Sequence, residues 1–182
     1  PDPIALGDVR PGSRLGGLLR SGIPGFRLPD DVLDRELDRI LDLGVEVVTG
    51  VFIDRERLLS VAKSHDAVLV ATGLQELRSL RIGVGDDDLV VQGIDFLDQV
   101  SSGVAPRMDG EDVVVVGGGN TAMDAARSAL RLGAHSVRVV YRRTRNEMPA
   151  IREEVDEALE EGVVMDFLTL PVAIQRMSQA DG

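Results

Sequence analysis

From residue 112 onward the apolar positions of this chain change period in a regular order. Val113-Val114-Val115-Val116 is a continuous apolar run that reads as a buried strand. Gly117-Gly118-Gly119 is a tight turn. Residues 120–132 carry small apolar residues at helical spacing, Ala122, Ala125, Ala126 and Ala129, which let a helix approach a sheet closely, and Gly133 ends it. Val137 to Tyr141 is a second strand, followed by a loop with Arg142, Arg143 and Arg145. A helix over about 150–161 places Ile151, Val155, Ala158 and Leu159 on one face and stops at Gly162. Val163 to Leu168 is a third strand. The order β-α-β-α-β is one mononucleotide-binding half of a doubly wound parallel sheet.

The pattern before residue 112 is weaker. Residues 1–29 are rich in Gly, Pro and Arg and read as a loop. Pro29-Asp30-Asp31 opens a helix, because Pro is tolerated in a first turn and early carboxylates suit its free N–H groups. Leu33, Leu37, Ile40 and Leu41 share its apolar face and Gly44 stops it. Val45 to Val48 reads as a short strand, and 54–64 as a short helix with Leu58, Leu59 and Ala62 inward. Ala67 to Val70 reads as a buried parallel strand ending in Ala71-Thr72-Gly73. Asp86-Asp87-Asp88 reads as an exposed turn, Ile94 to Val100 as one or two helical turns, and Ser101-Ser102-Gly103 as a linker signal. The fold class is therefore α/β, with Rossmann-like doubly wound parallel sheets that are truncated. A partial first α/β domain over 1–90 is expected, then a linker over 91–111, then a partial nucleotide-binding domain over 112–182.

Composition narrows the chemistry. With 182 residues, 43% of them hydrophobic, the chain is globular in type, and no apolar run approaches the ~20 residues of a membrane span. A net charge of −11 argues against nucleic acid as a partner. Lys63 is the only lysine, so the basic groups are almost all arginine. The absence of cysteine excludes disulfides, thiolate metal sites and iron–sulfur ligation by these residues, and two histidines cannot make a multi-histidine site. No metal-binding residues and no catalytic side chain are expected. His65 and His135 read as turn and cap residues, Glu153-Glu154 and Glu160-Glu161 as a solvated helix face, Met123 and Met148 as packing residues, and Asp124 as support for a helix N-terminus.

Gly117-Gly118-Gly119-Asn120-Thr121-Ala122 fits G-x-G-x-x-A between a buried strand and a helix. In that context Gly117 gives the tight turn, Gly119 lets a pyrophosphate approach the backbone, and Ala122 keeps helix and strand close. This placement makes the hexad a dinucleotide-binding signal. At the end of the second strand, where an acid would bind the 2′-hydroxyl of NAD, stand Arg142 and Arg143. Guanidinium groups there suit a 2′-phosphate and favour NADP over NAD. The competing reading pairs these arginines with Glu147, Glu153 or Glu154.

Two stretches carry a family resemblance. Gly16 to Pro29, GGLLRSGIPGFRLP, resembles the G-G-L-L-R-x-G-I-P-x-F-R-L-P signature of the glutamate synthase small-subunit family. Val113 to Ala150, with GGGNTAMDAAR and YRRTRNEMPA, resembles that family's NADPH motif. The same superfamily includes the flavin and NADPH portion of dihydropyrimidine dehydrogenase and electron-bifurcating transhydrogenase subunits. The resemblance implies a cytoplasmic flavoprotein in which NADPH passes hydride to FAD, with electrons going on to iron–sulfur clusters or a partner subunit. It implies that Gly17 and Leu18 line the flavin, that Val51 lies near its adenine and that Thr72 and Gly73 lie by its pyrophosphate. Gly119, Asn120, Thr121 and Ala122 would hold the NADPH pyrophosphate, and Arg142 and Arg143 its 2′-phosphate. The upstream FAD fingerprint and the cluster domain of the family are not in this sequence, which starts Pro1-Asp2-Pro3. The chain is therefore expected to be an internal piece of a longer enzyme that purifies without flavin. The rivals are another flavin-linked subunit of the superfamily and a non-catalytic nucleotide-binding or scaffold module.

Overall fold

The computed structural model describes residues 4–6, 14–73 and 90–174, of which 4–6 are described by backbone alone. They fall into two compact units, one built from 4–6, 14–21 and 25–73 and the other from 22–24 and 90–174. The expected turn at Asp86 to Asp88 lies outside the described residues.

In the first unit, strand β1 (Ile4–Leu6) pairs in parallel with β2 (Glu46–Val48), Ala5 opposite Val47. Helices α1 (Leu18–Ser21) and α2 (Asp30–Leu41) lie between them in sequence. The expectation of an irregular 1–29 is thus corrected. β1 is recruited by its ladder with β2, and α1 is seeded by Gly16 and Gly17, whose φ angles of +122° and +49° start a turn that other residues resist. α2 opens at Pro29 with Asp30 and Asp31 in its first turn, and Gly44 follows its end at φ +87°. Leu33 is buried, whereas Ile40 is 52% exposed. Arg20 binds Asp34 and, with Arg14, draws α1 and α2 together. Its bond holds the Asp34 carboxyl below the usual carboxylate range.

Helix α3 (Arg55–Ser64) is capped by Asp54, whose Oδ1 accepts the Arg57 N–H at 2.8 Å. Its expected inward residues Leu58, Leu59 and Ala62 are exposed. The run Ala67 to Val70 is not a strand, and Leu69 is 90% exposed. The second correction has a direct cause. An apolar run becomes a buried strand only with a ladder partner, and among the described residues of this unit only β1 and β2 pair.

The second unit includes α4 (Gly93–Ser101), longer than the one or two turns expected, which packs on α5 (Asn120–Arg131) and carries the fully buried Leu97. Strands β3 (Asp112–Val116), β4 (Ser136–Tyr141) and β5 (Val164–Phe167) are all parallel in the order β3-β4-β5, with Val115 opposite Val139 and Val139 opposite Met165. The inward face carries Val113, Val115, Val137, Val139 and Met165. It meets Ala122, Met123, Ala126 and Ala129 of α5 and Val155 and Ala158 of α6 (Arg152–Glu160). Burying each large apolar side chain of this cluster contributes roughly 1.5–3 kcal/mol. The small residues of α5 permit the approach, as their spacing predicts.

The opposite face is covered only in part: Val140 is buried there, at 9% exposed. Val114 is 60% exposed and Val164 46%, so β3 is not the fully buried strand its apolar run implies. Leu159 and Ile151 likewise stay exposed on α6. Among the described residues no helix is long and apolar enough to cross a membrane.

The α6 acids are only partly a solvated face. Glu153 and Glu160 are exposed, but Glu154 and Glu161 turn inward with Glu157 to Arg127 of α5, whose side chain is 6% exposed. The three contacts are each 2.8 Å. Arg131 also binds Glu161 and, with Arg127, holds its carboxyl at about 2, well below the ordinary 4.5. A carboxyl lowered on folding stabilises above its ordinary value and loses that contribution as it protonates. Unfolding free energy measured by denaturant titration should therefore fall as pH drops from 4.5 towards 2, and Glu161→Gln should flatten that limb. Arg127→Met, which takes the arginine from Glu154 and Glu157 and leaves Glu161 to Arg131 alone, should cost roughly 3 kcal/mol near neutral pH.

Candidate functional site

The site begins where β3 runs out. Val116 ends the strand, and the Gly117 N–H still reaches the Val140 carbonyl at 3.1 Å. Gly117 has φ +147°, closed to residues with a side chain, and a Cβ there would lie 3.5 Å from that of Ala122. This is the close helix–strand approach that the motif anticipates. Gly119 then forms the N-cap of α5 in extended conformation. Nothing lies within 4 Å of where its Cβ would be.

The backbone N–H groups of Gly118, Gly119, Asn120 and Thr121 have no acceptor among the described residues. They stand at the positive end of a 12-residue helix. Open space over Gly119, unsatisfied donors and the helix end together form a cradle for an anion. Thr121 is exposed beside it and Ala122 is buried beneath it.

Gly118, the variable position of the hexad, is set by a residue the sequence did not bring forward. A Cβ on it would stand 2.5 Å from two ring carbons of Tyr141. That ring is fixed, because the Tyr141 hydroxyl donates to the Glu147 carbonyl at 2.8 Å. The Ala150 N–H donates to the Gly118 carbonyl at 3.1 Å. Asn120 also has a partner: its Oδ1 accepts the Ile151 N–H at 2.9 Å at the start of α6. The loop between β4 and α6 is therefore laced to the glycine-rich turn.

That loop carries the arginines. Arg142 and Arg143 are exposed, and among the described residues neither makes an ion pair, so the competing pairing with Glu147, Glu153 or Glu154 does not occur there. Arg145 pairs with Asp156 instead. The Thr144 N–H and hydroxyl both donate to Glu147 Oε2, at 3.1 and 3.0 Å, closing a capping box around the single helical turn Arg145–Glu147. The T-x-x-E spacing of Thr144 and Glu147 is the sequence signal for that box. Glu147 is held below the usual carboxylate range, first by these Thr144 bonds and then by the nearby Arg143 charge.

The residues expected at a flavin lie in the first unit on three separate segments. Gly17 and the half-exposed Leu18 begin α1, the half-buried Val51 follows β2, and the exposed Thr72 and Gly73 end the stretch after α3. The remaining candidates are structural. His65 caps α3 and is half-buried rather than exposed, with Nδ1 2.9 Å from Ser64 Oγ. His135 is exposed beside Asp112. Met123 and Asp124 are buried in α5, and Met148 packs against the core. Among the described residues no group of His, Cys, Asp or Glu could hold a metal.

Comparison with known proteins places these features in context. Residues 27–181 match the family model described as pyridine nucleotide-disulphide oxidoreductase. Among curated relatives, the chain is 44% identical over 87% of its length to the NADP(+)-dependent formate dehydrogenase subunit beta of Moorella thermoacetica, of which that covers 23%. It is 40% identical over 94% of its length to the NADPH-Fe(3+) oxidoreductase subunit beta of Geobacter sulfurreducens (26% of the relative). It is also 40% identical over 87% to the glutamate synthase (NADPH) small chain of Azospirillum brasilense (35% of the relative), which bears out the resemblance. The chain thus spans about a quarter to a third of these relatives. The structure of Mycobacterium tuberculosis FprA in complex with NADPH superposes with a TM-score of 0.74 at 18% identity, covering 88% of this chain and 52% of FprA. That likeness is one of fold.

The packing around Gly118 makes a direct prediction. Gly118→Ala should lower the unfolding free energy by about 1–3 kcal/mol, because the pinned Tyr141 ring cannot yield. Gly119→Ala, in open space and extended conformation, should stay within about 1 kcal/mol of the parent in the same denaturation experiment.

Proposed function

The chain belongs to the pyridine nucleotide-disulphide oxidoreductase family, and from that premise we propose that it is the NADPH-binding portion of a flavin-dependent oxidoreductase of the glutamate synthase small-subunit type. The observation that carries this reading is the cradle at Gly119: open above the glycine, with unsatisfied N–H groups at the start of α5. A dinucleotide pyrophosphate fits it, because its charge meets the helix end and its bulk meets no Cβ. Gly117, Gly118, Gly119, Asn120, Thr121 and Ala122 form the pocket. Backbone N–H groups do the binding, and Asn120 contributes through the loop it holds.

Arg142 and Arg143, free of ion pairs among the described residues, supply charge-assisted contacts to a 2′-phosphate, and on this ground we read the nucleotide as NADP(H). The nucleotide supplies a hydride when bound. The residues of this chain bind and orient it, and no acid or base from the chain is needed.

In the intact protein we assign 1–90 to a partial FAD-type domain, 91–111 to a connection that includes α4, and 112–182 to the NADP-binding domain. Gly17, Leu18, Val51, Thr72 and Gly73 would lie along FAD, on the strength of the family resemblance. Hydride would pass from NADPH to FAD, and electrons would leave for iron–sulfur clusters or a partner subunit. A cytoplasmic setting fits the acidic chain, and its charge of −11 disfavours nucleic acid.

Calorimetric titration with NADPH tests the reading. The chain should bind NADPH more tightly than NADH. Gly119→Val should abolish binding of both while leaving the circular dichroism spectrum unchanged. Arg142→Ala with Arg143→Ala should weaken NADPH by at least on the order of tenfold and NADH far less. Unchanged NADPH affinity in that double variant would remove the basis for the NADP assignment.

A further inference from the structure

The loop that bears Arg142 and Arg143 also bears a carboxylate able to neutralise them. Glu147 is four residues past Arg143, and its charge is felt there. In solution a flexible loop with two arginines and a glutamate would exchange among internal ion pairs, and each would compete with a ligand phosphate. Here Glu147 is held at both ends. Its carboxylate accepts two hydrogen bonds from Thr144, and its carbonyl accepts one from Tyr141. The other loop acceptors are also placed: the Leu168 N–H donates to the Arg143 carbonyl at 3.1 Å and the Thr169 N–H to the Tyr141 carbonyl at 3.0 Å. The third arginine, Arg145, is drawn off by Asp156.

We propose that Thr144 and Tyr141 are positioning residues for nucleotide discrimination: by pinning Glu147 they keep it from pairing with Arg142 and Arg143, and so leave both guanidinium groups available to a 2′-phosphate. Both act through the hydrogen bonds they make to Glu147. Their effect is confined to the ligand that carries the phosphate, because NADH makes no demand on the arginines. The inference rests on the reading of the site as an NADPH site. It goes beyond that reading by assigning specificity to hydrogen bonds inside the loop.

The test is calorimetry on the full 182-residue chain with NADPH and NADH, using Thr144→Val, Glu147→Gln and the two combined. Thr144→Val removes the hydroxyl bond and leaves the Thr144 N–H as the one remaining hold on the carboxylate, which loosens it towards the arginines. It should weaken NADPH on the order of fivefold to tenfold, while NADH changes less than about twofold. Glu147→Gln should keep the NADPH preference, and Thr144→Val combined with Glu147→Gln should restore it, because a neutral amide does not compete. Tyr141→Phe, which keeps the ring against Gly118, should shift the preference in the same direction as Thr144→Val. A purely structural role predicts otherwise: both nucleotides weaken together, or Glu147→Gln is as harmful as Thr144→Val. Either result overturns the proposal, as does a Thr144→Val preference equal to that of the parent. A parent chain that binds neither nucleotide strikes the NADPH reading itself, and this inference with it. A parent preference that Thr144→Val leaves intact strikes the inference alone.

Discussion

The second unit depends on one close approach: the turn out of β3 passes beneath the aromatic ring that ends β4, with no side chain between them. Gly118 yields its Cβ space to Tyr141, and Gly117 yields φ freedom so that Ala122 can meet the strand. The consequences run outward from this contact. The first turn of α5 keeps its N–H groups free, the helix lies on the small face of the sheet, and the arginine loop starts beside the anion cradle. A side chain at either glycine would push helix and loop apart, and the packing of Ala126, Ala129, Val137 and Val139 would have to follow.

Charge is arranged around that core in two different ways. On the α5–α6 side a nearly buried arginine satisfies three glutamates, and the acids so consumed fasten one helix to the other. On the loop side the reverse is done: the acid is occupied by hydroxyl and amide donors, and the arginines are left in solvent. In a chain with 31 acidic and 20 basic residues, these two arginines face solvent without an ion pair among the described residues. Hydrogen-bonding Glu147 to neutral donors satisfies its lone pairs without spending a guanidinium.

Much of this is legible in the amino-acid sequence. The β-α-β-α-β alternation of 112–168, the stops at Gly133 and Gly162, the glycine turn and the small-residue face of α5 all follow from local periodicity and from glycine stereochemistry. What failed was burial. Val114, Leu58, Leu59 and Val68 to Val70 are as apolar as the residues that do pack, and period alone cannot say whether a second layer covers them. Likewise a row of glutamates on a helix looks solvated until an arginine of the neighbouring helix reaches it, as Arg127 does.

By itself, then, the sequence determined the strand–turn–helix and the donors it would expose, because turn geometry, capping and small-residue packing are settled within a few residues of chain. It also determined that two arginines would follow the second strand. Only the tertiary structure decided that Tyr141 would lie on Gly118, that Asn120 would reach across to Ile151, that Arg127 would gather Glu154, Glu157 and Glu161, and that Arg142 and Arg143 would stay unpaired among the described residues. Several of these pairings span tens of residues, and all depend on how close three-dimensional packing brings side chains whose spacing in the chain carries no record of it.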